Sequence, residues 1–310
     1  MKKISILTPC YNEEENVEIL YGEVKAQFAK LPQYDYEHIF IDNASQDKTV
    51  DILKRLAAKD KKVKIIVNAR NFGHIRSPFY GFRQTCGDAV IAMVADLQDP
   101  PEMIPELLKK WEDGYKIVCA VKNKSRENPL MFLFRKLYYS ILDKFSEGSR
   151  QIKNFTGFGL YDKAFIDVLR TIDDPYPYFR GLIAEIGFDY ATVPYAQPKR
   201  LRGKTKNNLY TLYDIGMLGF INHSKLPLRL ASFIGFFVAI LSLLVALGYF
   251  IYKIIYWDTF IAGTAPLVIG LFFFSSVQLF FIGIIGEYIG AIHTQVRKRP
   301  LVIEKERVNF

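Results

Sequence analysis

The chain has 310 residues, half of them hydrophobic, and a formal net charge of +9. That length holds one catalytic-sized domain of about 200 residues plus a smaller appendage, and the charge calls for a polyanionic partner: nucleic acid, or an anionic membrane surface with phosphate-bearing substrates. The three cysteines, Cys10, Cys86 and Cys119, form no CxxC pair and no Cys/His cluster, which argues against zinc and for buried, reduced thiols.

Ile4 to Thr8 reads as a buried strand closed by Pro9. Its apolar run is too short for a signal peptide, so the region that follows is expected to stay in the cytoplasm. From Glu13 to Leu31 the spacing of Val17, Leu20, Val24 and Phe28 predicts a helix with one apolar face. Tyr36 to Ile41 is a second strand with the loop Asp42-Asn43-Ala44-Ser45 after it; Thr49 to Ala58 is a helix and Val63 to Val67 a third strand. Ser77 to Thr85 is expected to be helical, and Ala89 to Ala95 to form the most apolar strand, ending at Asp96. Met103 to Trp111 is a helix opened by Pro100-Pro101-Glu102, and Ile117 to Val121 is another strand. Such alternation builds a doubly wound, mostly parallel α/β sheet, whose ligands bind beyond the carboxyl ends of the strands. Four of those ends carry polar residues: Tyr11-Asn12-Glu13, Asp42-Asn43, Arg70-Asn71, and Asp96 to Asp99.

The last third changes character. Leu209 to Asn222 has the spacing of an amphipathic helix suited to a membrane interface. Leu230 to Tyr252 and Thr259 to Gly286 carry no charged residue, and each exceeds the ~20 residues that cross a bilayer core. Seven Lys/Arg lie between Lys199 and Arg229 and five between Arg297 and Arg307, whereas the connecting loop has only Lys253. The positive-inside rule then puts both flanks in the cytoplasm. The expected layout is a catalytic domain with an acceptor loop over 1–206, an interfacial helix over 207–227, two transmembrane helices over 228–292 and a cytoplasmic tail over 293–310. This describes a multi-pass protein of the inner (cytoplasmic) membrane.

Asp96 at the end of the central strand can hold a divalent cation against a diphosphate, and hard oxygen donors such as Asp and the Gln98 amide carbonyl suit Mg²⁺ or Mn²⁺. Several segments surround it: Thr8-Pro9-Cys10-Tyr11-Asn12-Glu13 with Glu14-Glu15-Asn16, Ile41 to Thr49, Arg70-Asn71-Phe72-Gly73-His74, and Ala95 to Glu102. Arg180-Gly181-Leu182, the basic stretch Arg200 to Lys206, and Gly286-Glu287-Tyr288-Ile289-Gly290 follow. Together they resemble the family 2 glycosyltransferases with a GT-A fold. Within that family they look like the polyprenyl-phosphate glycosyltransferases, a group that includes dolichyl-phosphate mannose synthases and bactoprenol glucosyltransferases. The resemblance covers essentially the whole chain, both apolar runs included.

The resemblance implies inverting transfer of a sugar from a nucleotide sugar, with UDP-glucose or another UDP-hexose favoured, to a polyprenyl phosphate, with undecaprenyl phosphate favoured. The product would be a lipid-linked sugar for modification of cell-envelope glycans. It implies that Pro9, Tyr11, Glu13 and Asp42 hold the nucleoside, with Arg70 and Lys122 also toward the nucleotide sugar. Asp96 and Gln98 would ligate the metal. Arg180, Arg200, Thr205 and Lys206 would meet the acceptor phosphate, and Asp96, Arg200 and Lys206 would carry the reaction. Three positions depart from the pattern: Asn43-Ala44 stands where Asp-Gly is usual, Val94 where an Asp is usual, and Gly159 where an Arg is often found. Two other readings compete, a catalytically impaired membrane scaffold marked by Val94 and a processive polysaccharide synthase. A nucleic-acid partner would explain the charge but not the two apolar runs and is not expected; self-association is left open.

Overall fold

The computed structural model describes residues 1–122, 152, 154–198, 226–256 and 264–310. The chain divides into two compact units, Met1–Gly219 with Arg297–Phe310, and Phe220–Val296. The first is built on an eight-stranded sheet. Its parallel centre comprises β1 (Lys2–Cys10), β2 (Tyr34–Asp42), β3 (Val63–Asn68) and β4 (Ala89–Ala92), in the order β4-β1-β2-β3. β6 (Phe155–Asp162) runs antiparallel between β4 and β5 (Ile117–Lys122), and β7 (Tyr190–Tyr195) pairs parallel with β5 at one edge. β8 (Glu304–Val308) closes the other edge, antiparallel to β3.

The parallel central strands form on short, largely apolar runs, the signature of strands covered on both faces. Ile4, Ile6 and Leu7 of β1 and Ile39, Phe40 and Ile41 of β2 are fully buried. α1 (Val17–Ala29), α2 (Thr49–Lys59) and α4 (Ile104–Glu112) send Leu20, Leu53 and Leu107 into one core. α3 (Gly73–Gln84), α5 (Lys163–Thr171) and α6 (Phe179–Ile186) send Phe79, Phe165 and Ile183 into a second core. The doubly wound α/β sheet expected from the sequence is therefore present, with antiparallel strands at β6 and β8.

Several boundaries differ from expectation: β1 runs on through Pro9 to Cys10, α1 starts at Val17 rather than Glu13, and two more bear on the site. β4 stops at Ala92 rather than Ala95, because the Val94 N–H leaves the ladder to donate to the Asp99 carboxylate at 3.0 Å. α3 starts at Gly73, four residues before Ser77, and carries Pro78 inside it.

The tail after Val296 returns to the sheet. Leu301 and Val302 are buried in the second core, the Ala69 N–H donates to the Ile303 carbonyl at 2.8 Å, and Asn309 donates to the carbonyls of Ala57 and Val63 at 2.8 and 2.9 Å. The second unit holds α7 (Leu226–Ile255) and α8 (Thr264–Val296). Within them, Leu230–Ile255 and Gly270–Val296 are long and apolar enough to cross a membrane, with mean hydropathies of 2.7 and 1.6. The interfacial helix expected over 207–227 falls outside the described residues except for Leu226 and Pro227, which open α7.

Candidate active site

A cleft of about 890 Å³ opens at the carboxyl ends of the parallel strands. Each strand end adds a wall. After β1 the chain turns through Asn12 at φ 53°, and the turn is stitched to the loop after β2. The Asn12 N–H donates to Ser45 Oγ at 2.8 Å, the Gln46 N–H donates to Asn12 Oδ1 at 2.7 Å, and the Glu13 N–H donates to Thr49 Oγ1 at 2.8 Å. Pro9 is carried by the end of β1, and these bonds to backbone groups fix Tyr11 and Glu13 along the cleft without a regular element to carry them.

Asp42 stands behind that wall. It is fully buried and accepts from the Ser45 N–H at 2.9 Å and from the Ser45 hydroxyl. Burial pushes its carboxyl above the usual range, against the pull of the Ser45 bonds. In this arrangement Asp42 braces the loop, and it is absent from the cleft lining. Arg70 is exposed, its guanidinium 4.0 Å over the Phe72 ring, and it too lies off the lining.

The end of β4 supplies the acidic pole. Leu97 at φ 61° folds the segment back so that the Gln98 N–H donates to Asp96 Oδ1 at 3.1 Å, and Asp96 and Gln98 both line the cleft. Asp99 anchors the turn from beneath. Its carboxylate takes the Val94 N–H and the Tyr195 hydroxyl, the latter at 3.3 Å, and burial pushes its carboxyl up to about 7. Asp99 belongs to the acidic cluster visible in the sequence, whereas Tyr195, 96 residues away, carries no local signal of its part in the site. Lys122 at the end of β5, near enough to Asp99 to act on its carboxylate, and Arg180 in the first turn of α6 add positive charge to the cleft lining. Arg200, Thr205 and Lys206 lie outside the described residues.

The departures have structural consequences. Val94 is 38% exposed and lines the cleft, so the wall is apolar where a carboxylate would be usual. Gly159 faces β5 so closely that a Cβ would sit 2.3 Å from the Val118 carbonyl oxygen, so an Arg side chain would need the strand to move.

Among the described residues no three His, Cys, Asp or Glu side chains cluster as a ready-made metal site. The protein offers Asp96 and Gln98, hard oxygen donors on one rim of a cleft with room for further ligands, and this set fits Mg²⁺ or Mn²⁺ completed by the oxygens of a bound diphosphate.

The family model for glycosyl transferase family 2 matches residues 5–169. An uncharacterized glycosyltransferase, YkcC, of Bacillus subtilis (strain 168) is 34% identical over 304 residues, covering 96% of this chain and 92% of that protein. The bactoprenol glucosyl transferase of Shigella phage SfX is 32% identical over 306 residues, covering 98% and 99%. Among solved structures, glucosyl-3-phosphoglycerate synthase from Mycobacterium tuberculosis with Mn²⁺, UDP and phosphoglyceric acid matches 69% of this chain and 75% of its own at 18% identity, with a TM-score of 0.48.

Proposed function

The chain belongs to glycosyl transferase family 2, and from that membership we propose that it transfers one sugar from a nucleotide sugar to a polyprenyl phosphate at the cytoplasmic face of the membrane. The observation that carries the reading is the extent of the likeness to the phage bactoprenol glucosyl transferase: 98% of the chain, hence the two apolar helices as well as the sheet. UDP-glucose and undecaprenyl phosphate are the favoured donor and acceptor, with inversion at the anomeric carbon.

The chemistry places few demands on the protein. A phosphate monoester, whose second pKa is about 6, is largely dianionic at neutral pH and is already a nucleophile, so no general base is needed. The protein must bring two anions together and stabilise the leaving diphosphate. Lys122 and Arg180 put cationic charge on the cleft lining, Lys122 beside the acidic pole. Asp96 and Gln98 would hold a divalent cation, which when bound supplies charge neutralisation for the departing nucleoside diphosphate. Pro9, Tyr11 and Glu13 would seat the nucleoside, with Asp42 bracing them. Arg200, Thr205 and Lys206 are assigned to the acceptor phosphate by their place in the basic motif.

The test is release of nucleoside diphosphate by the full chain in nanodiscs, over a panel of nucleotide sugars with Mg²⁺ or Mn²⁺. Release should require undecaprenyl phosphate and should disappear in Asp96→Ala with the fold retained. Equal release without the lipid, or full activity of the variant, would refute the reading.

A further inference from the structure

Resting on the reading that this cleft takes a nucleotide sugar, we propose that Asn43 is a positioning residue: it latches the Asn71–Gly73 wall to the end of β2 and so shapes the nucleoside end of the cleft. Asn43 is 7% exposed, yet its amide makes four hydrogen bonds. Its Nδ2 donates to Asn71 Oδ1 at 2.8 Å and to the Gly73 carbonyl at 3.1 Å. Its Oδ1 accepts from the Phe72 N–H at 2.8 Å and from Asn68 Nδ2 at 3.1 Å. A backbone N–H can only donate and a carbonyl can only accept, so Phe72 and Gly73 fix which way the amide points. A side chain here must accept from one and donate to the other, and the carboxamide does both at once from separate atoms without a titrating proton.

The wall is built for this clasp. Asn71 Oδ1 also accepts from the Gly73 N–H at 2.8 Å, and Gly73 sits at φ +85°, where a side chain would strain the backbone. Asn68, 1% exposed, donates to Ser77 Oγ at 3.0 Å and so ties the clasp into α3. Asn43, Asn71, Gly73 and His74 all line the cleft. In the strand order β4-β1-β2-β3 this wall, beyond β3, is three strands from the Asp96 end of β4, about 14 Å at the usual strand spacing. A diphosphate held near Asp96 therefore leaves this wall to the nucleoside. An Asp at 43, as the family pattern usually has, would keep the acceptor but lose both donors and set a carboxylate against two carbonyl oxygens. Asn43 is thus a functional departure in this chain.

The test compares wild type, Asn43→Asp and Asn71→Ala, all full length in nanodiscs. UDP, GDP, CDP and ADP are titrated against wild type, and the tightest is then titrated against the variants. Both variants should bind it about tenfold more weakly, the scale set by leaving buried polar groups unpaired. Hydrogen exchange at the Phe72 and Gly73 amides should speed up while circular dichroism stays unchanged. In transfer assays the KM for the donor should rise with kcat within about twofold and the KM for the acceptor constant. Wild-type affinity and exchange in both variants would overturn the latch, and so would a fall in kcat at unchanged donor KM. Wild-type protein that binds none of the four nucleotides would overturn the nucleotide reading instead, and the exchange rates alone would then decide the latch.

Discussion

His38 lies fully buried in the middle of β2, its Nε2 3.0 Å from Thr8 Oγ1, its ring stacked on Phe40, and its Nδ1 without a partner. Burial pushes its imidazole down to about 3. In the unfolded chain it titrates near 6.5. The folded state therefore refuses a proton that the unfolded state accepts: the stability is fully present above about pH 6.5 and is lost as pH falls toward about 3, by up to about 1.4 kcal/mol per pH unit. His38→Gln, which stays neutral and can still meet Thr8, should flatten the drop in Tm between pH 7 and pH 5; an unchanged slope would remove His38 as its source. The same scale decides what the sequence could tell about the site. Asp96, Gln98, Tyr11, Glu13 and Arg180 sit in local sequence motifs and Lys122 is pointed to only by the family resemblance; all of them line one cleft. The clasp of Asn43, the support of Asp99 by Tyr195 and the backbone contact at Gly159 were not legible, because each depends on a partner 28 to 96 residues away or on strand register.

At the scale of elements, the tail strand β8 has the widest consequences. Its sequence, Glu-Lys-Glu-Arg-Val, has no apolar alternation, and only the free edge of β3 makes it a strand. Lys54 pairs with Glu306 at 2.6 Å, and the Tyr80 hydroxyl donates to Glu304 at 2.8 Å. Leu301 and Val302 are buried just before it, and Ile303 holds the Ala69 N–H that starts the Arg70–Gly73 loop. Leu301→Ala should cost about 2 kcal/mol, the low end for a buried leucine, and should weaken nucleotide binding as the loop loosens. A lower Tm with unchanged affinity would separate the tail from the site. The remaining elements divide along similar lines. β1 to β3, α1 and α2 were readable from apolar runs and helical spacing. No element was expected over 155–195, where β6 is broken by Gly157 and Gly159 and β7 by Pro194.

For the whole molecule, the path of the chain constrains topology. The sheet unit includes the chain on both sides of the two apolar helices, since Arg297–Phe310 rejoins it. If those helices cross a bilayer as a pair, both flanks lie on one side, and the Lys/Arg excess on the flanks is what the positive-inside rule would read as the cytoplasmic side, the placement we propose. A cysteine placed at Asp258, between the helices, should react with an impermeant maleimide in intact cells, while Cys86, exposed on the sheet unit, should react only after lysis. The reverse pattern would put the sheet outside, away from cytoplasmic nucleotide sugars. The most direct test of the central claim is mass spectrometry of the lipid phase after the full chain is incubated with undecaprenyl phosphate, a divalent cation and a panel of nucleotide sugars. We expect undecaprenyl phosphate heavier by one hexose residue with one donor, UDP-glucose first, and none with Asp96→Ala. Undecaprenyl phosphate unmodified with every donor, or carrying a growing sugar polymer, would contradict the account.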